Sequence, residues 1–376
     1  MRVIRISRSG LMAIYTDLAS RGVWLSPLCE DLFYSFLRSD QRRWGEVYVQ
    51  GLVSVPGRKS IRRISDHVMG RPVDQCLQQF INQSPWDWGP VRQRLAQRLV
   101  ETIRPKAWVL EEVVFPKNGS DSVGVARQFV NSAGRLINCQ VGLAVVLVGE
   151  NGGCPVNWRL LLPRSWDEDD TRRGRTRLPA HERSRPRWQH LLELIDEMMI
   201  DWGLPPAPVV IDARAIQGVE PLIRGLADRG LPYMVRVAQN RLSSIAPRLP
   251  ARPMPDPVRT RMHAVQGSGH PQPYEVGRHR HHGVERQATR QGPRPIWLTD
   301  LGRSRQPDLA GLVSLRKKAV TELGTAEEES GLQHFEGRSF QGWHHHVTLV
   351  SVAHAYRMLR RMDGENVEER CLRLHG

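Results

Sequence analysis

The spacing of apolar residues changes character near residue 105. Before that point Leu32 and Phe36, then Trp44, Val47 and Leu52, recur at the intervals that place side chains on one face of a helix, and Val55-Pro56-Gly57 interrupts the pattern. Residues 27–105 therefore read as a helical domain. After it, Ala107 to Phe115, Arg135 to Val148 and Val156 to Leu162 are strand-like runs joined by Gly-, Asn- and Ser-rich turns, which predicts an antiparallel meander. Trp188 to Trp202 returns to helical spacing through Leu191, Leu192, Leu194, Ile195, Met198 and Met199. An apolar strand at Pro208 to Ala213, a helix from about Ile216 to Arg229 and a strand at Tyr233 to Ala238 follow, and strands alternating with helices add parallel members to a sheet.

Strand-strand-strand-helix-strand-helix-strand is the order of the ribonuclease H-like fold. The fold class expected is α/β: an RNase H-like mixed sheet over residues 106–238, preceded by the helical domain. Residues 239–305 interrupt that order with a basic, proline-rich stretch in which only Ile296 to Leu298 reads as strand, so they form an insertion rather than core. Helices at Leu309 to Glu322 and His344 to Leu359 complete the core within 306–362. Residues 1–26 and 363–376 lack a clear pattern, and there is no internal repeat.

Charge narrows the partners. Lys plus Arg number 54 against 39 Asp plus Glu, a net charge of +15 that suits a polyanion such as nucleic acid. No apolar run approaches the roughly 18 residues that a bilayer crossing needs, and no hydrophobic stretch near Met1 is long enough for a secretory signal. Five scattered cysteines without a C-x-x-C pair imply reduced thiols in a cytoplasmic protein, nucleoid-associated when DNA is bound. P-loop, G-x-G-x-x-G, H-E-x-x-H and G-x-S-x-G motifs are absent, which removes support for nucleotide hydrolysis, dinucleotide chemistry, zinc proteolysis and serine hydrolysis.

Asp212 closes the apolar strand Val209-Val210-Ile211-Asp212, at the end where open α/β sheets place ligand-binding groups. A carboxylate there must be paired or hold a cation. Pairing with Arg214 and capping of the following helix are the plain alternatives. Glu111 and Glu112 sit inside Trp108-Val109-Leu110-Glu111-Glu112-Val113-Val114-Phe115, where alternation sends one to each face, so only one can enter a site. Two such carboxylates and a third from a late helix would suit a two-metal phosphoryl-transfer site, with Mg2+ or Mn2+ as the hard cation. Glu322, Glu327, Glu328, Glu329 and Glu336 are the available third acids. His344-His345-His346 cannot share one ion, because consecutive helical residues point about 100° apart. Gly57-Arg58-Lys59-Ser60-Ile61-Arg62-Arg63 opens a helix whose basic side chains could face phosphates, with Ser60 as cap.

The chain resembles DDE-type insertion-sequence transposases, specifically the insertion sequence 701 family, from about Asp40 to Tyr356. The residues that carry the resemblance are Trp108 to Gly119, Gly124-Val125-Ala126-Arg127-Gln128, Asn138-Cys139-Gln140-Val141, Asn157-Trp158-Arg159-Leu160, Val210-Ile211-Asp212-Ala213 and Glu336-Gly337-Arg338-Ser339 with Gly342-Trp343-His344. It implies cut-and-join chemistry on double-stranded DNA, both terminal inverted repeats and target, by a magnesium-dependent carboxylate triad, with a homodimer holding two ends. On this basis Glu111 or Glu112, Asp212 and Glu322 are the expected catalytic acids, and Glu111, Asp212 and Glu322 the expected metal ligands. Arg58, Lys59, Arg62, Arg63, Lys117, Arg127, Arg278, Arg280 and Arg338 are the expected DNA contacts.

Three positions depart from the family pattern. Glu111 stands where the first Asp is usual, and its extra methylene displaces a bound ion by about 1 Å, a misplacement that can cost on the order of 100-fold in rate. The third acid should fall near Val320 and Thr321, about ten residues before Gly331-Leu332-Gln333-His334-Phe335, with Glu322 adjacent. The lysine expected after it is replaced near Glu327. The leading expectation is a transposase. A descendant that binds DNA without cutting it, and a nuclease that cuts without joining, are the rivals.

Overall fold

The computed structural model describes residues 25–130, 133–238, 274–276, 279–281, 296–301 and 306–373. These divide into two compact units. The first takes the chain to Arg94 together with Ala326–Glu336 and the stretch from His345 onward, and the second comprises Leu95–Thr325 with Gly337–His344.

In the first unit, helices α1 (Leu25–Leu32), α2 (Ser39–Ser54), α3 (Ile61–Ile64, continued by a wider turn over Ser65–Met69) and α4 (Asp74–Asn82) bury Leu32, Phe33, Phe36, Leu52, Ile64, Leu77 and Phe80. Helix α5 (Trp88–Ile103) begins in the first unit and ends in the second. Ser60 accepts from the Arg63 amide and caps α3, and Gly70 ends the wider turn in the left-handed region at φ 59°. The long C-terminal helix, Phe340–Arg373, is embedded through His345 and His346. His345 stacks on Trp86 at 3.6 Å between ring centroids, and burial pushes its pKa down to about 3. His346 faces two carbonyl oxygens, Gly331 and Leu332, with Nε2, so that nitrogen carries the proton and Nδ1 accepts from the Tyr48 hydroxyl at 3.0 Å. The histidine run is thus core. Among the described residues no group of three His, Cys, Asp or Glu side chains could hold a metal ion.

Close packing in this unit makes one position a sensitive reporter. A Cβ added at Gly51 would lie 2.3 Å from Ile64 Cγ2, which is fully buried. Gly51→Ala is expected to cost about 1 to 3 kcal/mol by overpacking, read as a fall in the urea midpoint at unchanged slope.

The second unit holds the sheet. Strands β1 (Ala107–Pro116), β2 (Ala126–Val130), β3 (Arg135–Gly149), β4 (Gly152–Leu161), β5 (Val209–Asp212), β6 (Tyr233–Val237) and β9 (Ile296–Thr299) form it, with β7 (Tyr274–Val276) and β8 (His279–His281) a separate hairpin. β3 pairs antiparallel with β1 on one side and with β4 and then β2 on the other. β1, β5 and β6 run parallel, and β9 closes the edge antiparallel to β6. This mixed sheet is the RNase H-like arrangement that the element order predicts. Two helices between strands, α7 (Arg187–Asp196) and α8 (Val219–Asp228), make the parallel connections, after a short helix α6 (Asp170–Arg175). The long late helices are α9 (Gln306–Ser330) and α10 (Phe340–Arg373), each reaching beyond the span that sequence periodicity marks. Among the described residues no helix is long and apolar enough to cross a membrane.

Candidate active site

Register builds the site. Leu110 of β1 sits opposite Ile211 of the parallel strand β5, so Glu111 and Asp212 are the next neighbours and project to the same face. Arg236 on β6 lies opposite Asp212 in turn. Both carboxylates are largely buried, each with 11% of its side chain exposed. Glu112 points to the other face, where Arg187 Nε lies 2.9 Å from it.

The helix that faces the pair brings a cation rather than a third acid. Arg316 of α9 is 16% exposed, and its Nε lies 2.6 Å from Glu111 Oε1. Its Nη2 donates to Glu111 Oε2 at 2.9 Å and lies 3.1 Å from Asp212 Oδ2. One guanidinium therefore bridges both carboxylates. Asp212 also accepts from Arg214 through Nε at 2.8 Å, Nη2 at 2.7 Å and the backbone amide at 3.2 Å, and from Arg236 Nη1 at 3.3 Å.

These contacts move the two acids in opposite directions. Burial would raise Asp212, but the Arg214 hydrogen bonds and the charges of Arg316, Arg214 and Arg236 outweigh it and hold the group below the ordinary aspartate value. Burial dominates at Glu111, which is pushed up to about 7 despite Arg316 and with the adjacent charges of Asp212 and Glu112 adding to the rise. Glu112 is raised as well, by burial first, with Arg187 opposing.

The other expected acids lie elsewhere. Glu322 is six residues beyond Arg316, about 9 Å along α9 and roughly 120° around it. Its side chain lies against Gly153 of β4, and its charge acts on the buried Cys154 thiol. Glu329 pairs with Arg357 at 3.3 Å and Glu336 with Arg58 at 2.6 Å. On the helix face that bears Arg316, the next turn presents Val320, a valine 45% exposed.

The expected DNA contacts are dispersed. Arg62 and Arg63 in the first unit and Arg127 in the second are exposed, and Lys117 is half-buried. Arg338 is exposed and pairs with Asp121 at 3.1 Å. Lys59 is a correction: it is buried at 4% exposure, its ammonium donates to the Val55 carbonyl, and burial lowers its pKa. Arg278 lies outside the described residues, and only the backbone of Arg280, in β8, is described.

Sequence reasoning passes over Arg316 and Arg236. Arg316 opens the run Arg316-Lys317-Lys318 and reads as a wet helix face. The signal that could have found both is charge balance, because acids inside apolar strands require buried counter-charges.

A mixed RNase H-like sheet with two acids side by side on its neighbouring parallel strands defines a nuclease-type core. The sequence matches the DDE superfamily endonuclease family over residues 31–296, and the chain belongs to that family. The family consists of transposase-like nucleases whose substrate is DNA and which generally use divalent metals. No curated protein matches the chain.

The side chains around the pair do not fit such a metal as they are arranged. Glu111 Oε2 and both oxygens of Asp212 accept from guanidinium or amide N–H groups, and Glu111 Oε1 lies 2.6 Å from Arg316 Nε without hydrogen-bond geometry. Two carboxylates, Glu111 and Asp212, meet three guanidiniums, Arg214, Arg236 and Arg316, so the local charge is not the excess of anions that draws a divalent ion.

Proposed function

We propose that the protein is a DNA-binding descendant of insertion-sequence transposases, of the insertion sequence 701 type that its motifs resemble, and that this copy holds double-stranded DNA without cutting it. The observation that carries the reading is the Arg316 guanidinium, which engages Glu111 and Asp212 together where a cleavage site would hold a cation. Val320 on the next turn of the same helix face leaves the third acid without a counterpart. Family membership, the net charge of +15 and the exposed Arg62, Arg63, Arg127 and Arg338 support DNA as the partner. Two copies would hold two transposon ends, as the family resemblance implies.

A second reading is metal-dependent cleavage and strand transfer at terminal inverted repeats, with Mg2+ or Mn2+ held by Glu111, Asp212 and Glu322. The adjacency of Glu111 and Asp212 on β1 and β5 favours it. One experiment separates the two. The protein is mixed with supercoiled plasmid carrying the element's terminal repeats, in Mg2+ or Mn2+, beside an Asp212→Ala control. The proposal expects salt-sensitive retention of DNA in a gel shift and no nicking above the control. Nicking that Asp212→Ala abolishes would establish the second reading instead.

A further inference from the structure

A cleft of about 490 Å3 opens on the Glu112 side of β1, within the size range of single-ligand pockets. Gln128, Leu162, Arg185, Arg187, Trp188 and Gln217 line it. Arg187 ties this cleft to β1 and to the turn after β5, because its guanidinium contacts Glu112 through Nε at 2.9 Å and donates from Nη1 to the Ala215 carbonyl at 3.2 Å. Arg185 is held in place by Glu193. Both guanidiniums are thus oriented before any ligand arrives, while about 30% of each side chain remains exposed.

The rest of the lining is suited to a flat, polar-edged group. Trp188 supplies an aromatic ring. Gly218 lies against it: a Cβ there would be 3.2 Å from Trp188 Cδ1, and its φ of +76° also favours glycine. Gln128 donates through Nε2 to the Cys139 carbonyl at 3.1 Å, which fixes the amide and leaves its oxygen to accept. Gln217, next to Gly218, is exposed at the rim, and Leu162 adds an apolar surface. Neither a divalent ion nor an apolar ligand would use two arginines, two carboxamides and an indole together.

We propose that this cleft takes one unpaired nucleotide, its base against Trp188, its base edge read by Gln128 and Gln217, and its phosphate met by Arg185 and Arg187. The source consistent with the DNA-binding reading, on which this inference rests, is a DNA strand end; a free nucleotide has the same chemistry. Stacking of one base on an aromatic side chain is sequence-tolerant and strong enough to shift affinity about tenfold.

The test is fluorescence anisotropy with the full chain and labelled duplexes that are blunt or carry a two-nucleotide overhang of either polarity. A mixture of nucleoside monophosphates is titrated separately by calorimetry. The expected result is about tenfold tighter binding of an overhang duplex, lost in Trp188→Ala and in the exposed-position variant Gln217→Ala, retained in Trp188→Phe, with blunt-duplex affinity unchanged throughout. Equal affinity for blunt and overhang duplexes, with no heat from nucleoside monophosphates, overturns the proposal while leaving DNA binding intact. Nucleoside monophosphate binding that Trp188→Ala and Gln217→Ala remove, without overhang preference, assigns the cleft to free nucleotide. If no duplex binds at all, the DNA-binding reading fails, and the calorimetric arm alone decides the cleft: heat lost in both alanine variants supports it, and no heat overturns it.

Discussion

Arg316→Ala lowers the stability of the fold by about 3 to 5 kcal/mol at pH 8, the cost of leaving a buried ion pair half made. The residue is 16% exposed and bridges two acids that are 11% exposed, so water does not replace it readily. Asp212 keeps Arg214 and Arg236, whereas Glu111 keeps no guanidinium among its described contacts. The damage should therefore fall on Glu111 and depend on pH. Glu111 has its folded pKa raised from 4.5 to about 7, so the native state holds more protons than the unfolded chain between those values, and stability falls as pH rises through that window. Removing Arg316 raises Glu111 further. The variant should thus lose less near pH 5, where Glu111 is neutral, than at pH 8. Asp212 works in the opposite sense: its lowered pKa contributes stability that is present above the ordinary aspartate value and lost as pH falls below it. Arg316→Lys keeps the charge but cannot reach both acids with a planar group, so it should fall between wild type and alanine. Urea denaturation at pH 5 and pH 8 checks all three expectations. Equal stability of wild type and Arg316→Ala at pH 8 would show that the bridge is not formed in solution.

The second large effect is a gain. Arg316→Ala combined with Val320→Glu removes the resident cation and puts a third acid one turn further along the same helix face, about 6 Å on and 40° round. Val320 is 45% exposed, so the glutamate can enter without burying a charge beforehand. Three carboxylates freed of Arg316 should then bind Mn2+, and at an ion concentration 100 times the dissociation constant the fold gains about 2.7 kcal/mol. A thermal melt with and without Mn2+ shows this as a rise confined to the double variant, and the same protein should begin to nick supercoiled DNA. Neither single substitution should do so. If the double variant melts at one temperature regardless of Mn2+, the helix face has been assigned wrongly.

What the chain reveals before folding follows from how strongly each element is patterned. β1, β3 and β4 are long runs of buried apolar residues, and their residues announce them. β2, Ala126–Val130, escapes notice because it is five residues long at an edge, with Arg127 and Phe129 exposed and only Val130 buried. The late helices are recognisable but their lengths are not, since the apolar period of helix 306–330 is weak. Of the site, Asp212 and Glu111 are legible as acids at the ends or centres of apolar strands. Which of Glu111 and Glu112 faces Asp212 is not, because alternation alone does not say which face is which; the pairing of Leu110 with Ile211 decides it. Arg316 is invisible for a different reason. Its partners are 104 and 205 positions away in the chain, and only the folded sheet brings them together.

The most direct measurement is an anomalous difference map from a crystal of the wild-type protein soaked in Mn2+. With the guanidinium of Arg316 holding both acids, the map should be featureless between Glu111 and Asp212, and the arginine should keep its place. A strong anomalous peak bound by both carboxylates, with Arg316 displaced, would contradict the account and return the protein to the metal-dependent nucleases.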